Sequence, residues 1–247
     1  MSNKAGLVSI SFRKHSCDEI IAAASAAGLE AIEWGGDVHV PHGDTAVAQS
    51  VATRTAAAGL TMPEYGSYYS IATSEPELFD KALASARALG APVIRVWATG
   101  SASDTVDTEA WDRAVADARR ICTLAGDITV ALECHQRTLT DEYHTALAFI
   151  REVNMPNLKM FWQPNQHRPF DYNTDSIKAL LPYIVAVHVF SWHRKEKLPL
   201  AAGEEAWREY IRLLSEKDLY YMLEFMHDGN IETLAETAAT LKSWLGN

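Results

Sequence analysis

The chain has 247 residues, is 48% hydrophobic and contains no biased tract, which places it near the top of the range that a single core can fill. Its formal net charge of −10 works against a phosphate-backbone binder, which needs a basic face. No apolar run reaches the ~20 residues that span a bilayer, and the opening MSNKAGLVSISF lacks the core of a signal peptide. Cys17, Cys122 and Cys134 are odd in number and show no CxxC spacing, so free thiols in a cytoplasmic protein are expected.

In chain order, β-rich runs alternate with helical patterns. Strands are expected at Leu7–Phe12, Ala31–Trp34, Thr61–Tyr65, Val93–Trp97, Ile128–Glu133, Leu158–Trp162, Val185–Phe190 and Tyr220–Phe225. Helices are expected at Cys17–Ala27, Thr45–Ala58, Glu75–Leu89, Thr108–Ala125, Asp141–Asn154, Asp175–Leu181, Glu204–Glu216 and Ile231–Leu245. AAGLEAIEW, AAGLTMPEY and RALGAPVIRVW each place a glycine stop between helix and strand. Val93–Trp97 and Val185–Phe190 are nearly continuous in apolar residues, as parallel strands buried on both faces require.

Eight strand–helix units in a chain of this length have the rhythm of a (β/α)8 TIM barrel forming one α/β domain over residues 1–247. A doubly wound nucleotide-binding sheet would carry a Gly-rich first turn, whereas RKHSCDE follows the first strand here.

Barrel chemistry sits at the C-terminal ends of strands. The last four of these ends read LECH, FWQP, VHVF and LEFMHD, which gives Glu133, Gln163, His188 and Glu224 in order. Taken singly, each residue has an ordinary explanation: a paired carboxylate, a turn amide or a hydrogen-bonded core histidine. Together they form a set of three oxygen donors and one imidazole, which suits one divalent cation: Mn2+, Mg2+ or Co2+ first, with Zn2+ also compatible. Arg95, inside an apolar strand, needs a buried anion, with Glu64 or Glu133 as the expected partner. Aromatic residues crowd the strand tips: Trp34, Tyr65, Tyr68 and Tyr69 on early strands, then Trp97, Trp162, Phe190 and Trp192. They could stack on a sugar or simply close the core.

This order of strand ends resembles the xylose-isomerase-like barrel superfamily of sugar and sugar-phosphate isomerases and epimerases, whose usual quartet is Glu, Asp, His, Glu. The resemblance covers essentially the whole chain, and it implies roles beyond the quartet. LECHQRTLTDEYHTALAFI is similar to that family's E-x-H strand end with a Thr-capped helix, which puts His135 beside the substrate. VHVFSWHR implies a substrate contact at Arg194, and AIEWGGDVH implies that Trp34 and His39 line the pocket. Tyr68 is placed there as well. Gln163 stands where most members have Asp, and the histidine expected three residues later is Gln166, with His167 one further on, so that contact falls to either residue.

The implied chemistry is proton abstraction next to a carbonyl by Glu133 or Glu224, with the cation stabilising a cis-enediolate and the other glutamate returning a proton. Isomerisation and epimerisation both follow from that intermediate. Loss of a β-leaving group makes a dehydratase or lyase the runner-up, and a metal-free sugar-binding relative is the non-catalytic alternative. A related endonuclease would need about three metals and a basic face. The expected partner is a small carbohydrate, with neither nucleic acid nor membrane, and homo-oligomerisation stays open. With Gln for Asp the ligand charge falls from −3 to −2, which should weaken metal affinity and raise Lewis acidity.

Overall fold

The apolar runs become eight parallel strands in the computed structural model, which describes residues 3–246. They are β1 (Lys4–Val8), β2 (Ala31–Gly35), β3 (Glu64–Ser70), β4 (Val93–Trp97), β5 (Thr129–Glu133), β6 (Leu158–Trp162), β7 (Ile184–Val189) and β8 (Tyr220–Leu223). Each pairs with its chain neighbours and β8 returns to β1, so the sheet closes and has no free edge. Helices α1 (Cys17–Ala26), α2 (Thr45–Ala57), α3 (Pro76–Leu89) and α4 (Thr108–Ala125) follow the first four strands. Helices α5 (Tyr143–Val153), α6 (Phe170–Leu180), α7 (Glu204–Leu213) and α8 (Leu234–Leu245) follow the others. This is a (β/α)8 TIM barrel. Among the described residues, no helix is long and apolar enough to cross a membrane.

Local chemistry sets the helix ends. Ser16 and Glu19 form a reciprocal capping box at α1, the Ser16 N–H donating to the Glu19 carboxylate at 2.7 Å and Ser16 Oγ accepting from the Glu19 N–H at 3.3 Å. The glycines after α1, α2 and α3 all take positive φ, as the stop signals require.

Two packing layers result. The larger apolar cluster fills the space between strands and helices and includes Trp34, Phe79, Phe149 and Trp162. Inside the barrel the apolar content is small: Val8, Ile10, Ala31 and Met222 in one group, Ala131, Phe161 and Ala186 in another. Much of the remaining interior is charged, because Glu33, Glu64, Arg95, Glu133, His188 and Glu224 are all buried.

Several boundaries differ from expectation. The first strand lies at Lys4–Val8 rather than Leu7–Phe12. The alternation of VSISF instead becomes a 3-10 turn over Ser9–Phe12, held where Ser9 Oγ accepts from the Gly35 N–H at 2.9 Å. The third strand lies at Glu64–Ser70, while Thr61 makes only an isolated bridge to Ala31. Helix α6 begins at Phe170, five residues before the expected Asp175, because Pro169 takes the N-cap with an extended backbone. No threonine caps α5: Thr140 Oγ1 donates to the Glu133 carbonyl at 2.5 Å and ties down the turn after β5. Trp192–His193 and Glu196–Lys197 form a short hairpin that lacked an Asn-Gly or Asp-Gly signal.

Candidate active site

Side chains alternate along each strand, and this parity selects what enters the barrel. Glu133, His188 and Glu224 converge from β5, β7 and the end of β8, and one ligand atom from each lies within 4.8 Å of the others. His188 Nδ1 is 3.5 Å from Glu133 Oε1 and 3.6 Å from Glu224 Oε2. Gln163 joins them just beyond β6. Its Nε2 donates to the Cys134 carbonyl at 2.8 Å, which leaves Oε1 at 3.3 Å from His188 Nδ1. The amide thus presents its oxygen, the atom a hard cation would bind, toward the other donors. This donor set fits one divalent cation.

Behind the quartet lies a layer of ion pairs. Glu33 Oε2 meets His188 Nε2 at 2.7 Å, and Glu33 Oε1 accepts from Arg95 Nε at 3.0 Å. Arg95 Nη1 and the Trp97 indole N–H both donate to Glu133 Oε2, each at 2.5 Å. Arg95 therefore pairs with Glu133 and Glu33. Glu64 makes no such bond, and its buried Oε2 has no hydrogen-bond partner. Glu33 was not among the residues expected at the site, although a carboxylate inside the apolar AIEW was the available signal.

Environment separates the carboxyls. Burial alone would raise all four. For Glu133, burial is overcome by the Arg95 charge and the His188 hydrogen bond, which hold it well below the usual carboxylate range. For Glu33, His188 and Arg95 likewise prevail over burial, and its pKa is lowered. Burial pushes Glu224 up to about 7 against the pull of His188. Burial and then the neighbouring Glu33 charge raise Glu64 well above its ordinary value. His188 rises despite burial because Glu224 and Glu33 face it.

Above the quartet opens a cavity of about 380 Å³, with Glu133, Gln163 and Glu224 in its wall. Tyr68, His135 and Gln166 also line it, as do the aromatic side chains of Trp97, Phe190 and Trp192. His135 stacks at a tilt on Trp97, with centroids 5.1 Å apart. Trp34 lies elsewhere. It is fully buried on the helix side of β2, and its indole N–H donates to Thr55 Oγ1 at 3.2 Å. The one-residue offset from Glu33 to Trp34 is a change of face. Tyr65, Tyr69 and Trp162 are also packed in the outer layer. His39 is buried beneath the first loop, between Ser9 Oγ at 3.1 Å and the His15 carbonyl at 3.2 Å. His167 is exposed, its N–H donating to Asn165 Oδ1 at 3.0 Å, and Arg194 sits exposed at the hairpin turn with φ 56°. Neither lines the cavity. Tyr143 and Tyr172 do line it and carried no strand-end signal, because they come from the start of α5 and from α6; Phe225 also lines it and lay within the strand end LEFMHD without being singled out.

Several solved structures share this architecture. The probable 3-DHS dehydratase AsbF involved in petrobactin synthesis from Bacillus anthracis aligns with a TM-score of 0.83 and 23% identity over 97% of this chain and 98% of that one. D-psicose 3-epimerase with D-tagatose from Clostridium cellulolyticum H10 aligns at 0.76 and 15% identity, over 98% of each chain. A xylose isomerase-like TIM barrel protein from Mycobacterium smegmatis in complex with magnesium aligns at 0.68 and 16% identity, over 99% of this chain and 96% of that one. At such identities the likeness is one of fold. No curated protein matches the chain significantly. The sequence itself matches the family described as xylose isomerase-like TIM barrel over residues 21–245, and the chain belongs to that family.

Proposed function

We propose that the protein is a metal-dependent isomerase that enolises a sugar by removing a proton next to its carbonyl. The observation that carries this reading is the convergence of Glu133, His188 and Glu224 within 4.8 Å at the floor of the cavity, with Gln163 Oε1 turned toward them. When bound there, a divalent cation would polarise the substrate carbonyl and offset the charge that develops on its oxygen.

The residues divide the remaining work unequally. Glu133 Oε2 is held by Arg95 and Trp97, so this glutamate serves as an anchored ligand. Glu224 has no such hydrogen bonds, so its carboxylate is the freer of the two to take a proton from the substrate. A single unencumbered carboxylate favours suprafacial transfer between adjacent carbons, as in aldose–ketose isomerisation. Epimerisation would need a second acid on the opposite face, a role for which Glu133 is poorly disposed. Dehydration also needs only one base at the carbon, so the same asymmetry supports the lyase as a second reading.

Both cavity guanidiniums are already paired, Arg13 with Asp37 at 2.8 Å and Arg95 with its two glutamates. That supports an unphosphorylated sugar, seated against Tyr68 and Trp97. Metal-reconstituted protein incubated with candidate sugars in D2O, followed by NMR, tests the proposal. Deuterium in a recovered or isomerised sugar is the expected result, and loss of water identifies the lyase. Metal-reconstituted protein that binds a sugar with neither exchange nor loss of water would overturn both.

A further inference from the structure

We infer that Glu33 and Arg95 are a positioning pair, which fixes His188 with Nδ1 as its ligand atom and leaves Glu133 a single free oxygen. The inference rests on the metal-site reading above. Its geometric basis is a continuous buried chain: His188 Nε2 to Glu33 Oε2 at 2.7 Å, Glu33 Oε1 to Arg95 Nε at 3.0 Å, and Arg95 Nη1 to Glu133 Oε2 at 2.5 Å. All four side chains are at most 3% exposed.

Each link restricts one degree of freedom in the donor set. Glu33 can only accept, so Nε2 must carry the proton and Nδ1 is turned toward Glu133, Glu224 and Gln163. Arg95, helped by Trp97, occupies Glu133 Oε2, so only Oε1 faces Nδ1. Outer partners of this kind fix ring orientation and ligand basicity in metal sites.

Two further observations argue against a role in stability alone. A buried ion pair is poor stability engineering, because apolar side chains of the same volume usually serve as well or better. The barrel also leaves space for this pair: a Cβ on Gly66 would lie 2.6 Å from Glu33 Oε1 and 2.8 Å from Arg95 Nη2. Contacts that short do not occur, so any side chain at position 66 would have to push the Glu33 carboxylate and the Arg95 guanidinium out of this arrangement.

The test uses the full-length chain as wild type, Glu33→Gln and the double variant Glu33→Met/Arg95→Met. The double variant removes the pair without stranding a charge. Calorimetric titration of Mn2+ into metal-free protein should show affinity falling about 10- to 100-fold in both variants, with cooperative unfolding retained. Histidine-selective 15N-edited NMR supplies a readout that needs no metal. The wild type should show a strongly deshielded Nε2–H proton assigned to His188, moved clearly upfield in Glu33→Gln, whose neutral amide oxygen accepts more weakly. Wild-type Mn2+ affinity in the double variant, or a Nε2–H signal unchanged in Glu33→Gln, would overturn the positioning role. Failure of the wild type itself to bind Mn2+ would instead sink the metal-site reading, and the NMR arm would still decide what Glu33 does to His188.

Discussion

Glu64 gives the sharpest stability prediction. Its side chain is 1% exposed, its Oε2 has no hydrogen-bond partner, and Arg95 is engaged by Glu33 and Glu133 instead. Burial, followed by the nearby Glu33 charge, raises its pKa well above the ordinary 4.5, so the folded state holds a proton that the unfolded chain has released. Between the two pKa values the folded state binds more protons, and stability therefore falls as pH rises. The slope is about 1.4 kcal/mol per pH unit within that window and vanishes below it. Glu64→Gln is close in shape to the neutral acid and cannot ionise, so it should remove this slope. The assay is urea unfolding of both proteins from pH 4 to 8, read as the difference in free energy at each pH. Near pH 4 the difference should be small, and above it Glu64→Gln should become progressively the more stable. Parallel pH profiles would mean that Glu64 ionises in the fold without cost, and a neutral acid inside the barrel would be refuted.

Other variants address the site. Gln163→Asp raises the ligand charge to −3 and should tighten Mn2+ binding while lowering turnover; unchanged affinity by calorimetry would remove Gln163 from the ligand set. Glu224→Gln should slow solvent deuterium exchange into substrate by about 10²- to 10⁴-fold, with a circular-dichroism spectrum like that of the wild type. Trp34→Phe loses the indole bond to Thr55 and should destabilise the fold by about 1 kcal/mol without altering KM, since Trp34 stands outside the cavity.

Much of the barrel was legible because glycine stops and apolar runs are local signals. Helix α3 and strand β4 fall within a residue of their expected bounds, as the αL glycine at 90 fixes the junction. The errors cluster where the fold, not the local sequence, decides. VSISF alternates like a strand, but the ladder of β1 ends at Leu7–Leu223 on the β8 side and at Val8–Glu33 on the β2 side, and the chain turns. The four strand-end residues were readable as a set because parallel strands carry their chemistry at one end. The second layer was not, because choosing Glu33 over Trp34 as the inward residue requires the register of β2 against β1. Here Val8 pairs with Glu33. Arg95 announced its need for a buried anion and Glu133 answers it as expected, yet that Glu33 rather than Glu64 would be the second partner depended on side-chain reach across the barrel.

The tight fit around Gly66 has a consequence for how such a sequence can drift. Glu33, Gly66 and Arg95 lie on three adjacent strands, and no one of them can change far without stranding a charge or forcing a clash. Losing Arg95 first leaves Glu33 and Glu133 short of a cation, and enlarging Gly66 first displaces both partners. The three positions should therefore be inherited as a block. Descendants that abandon the pair are expected to change 33 and 95 together before any side chain appears at 66.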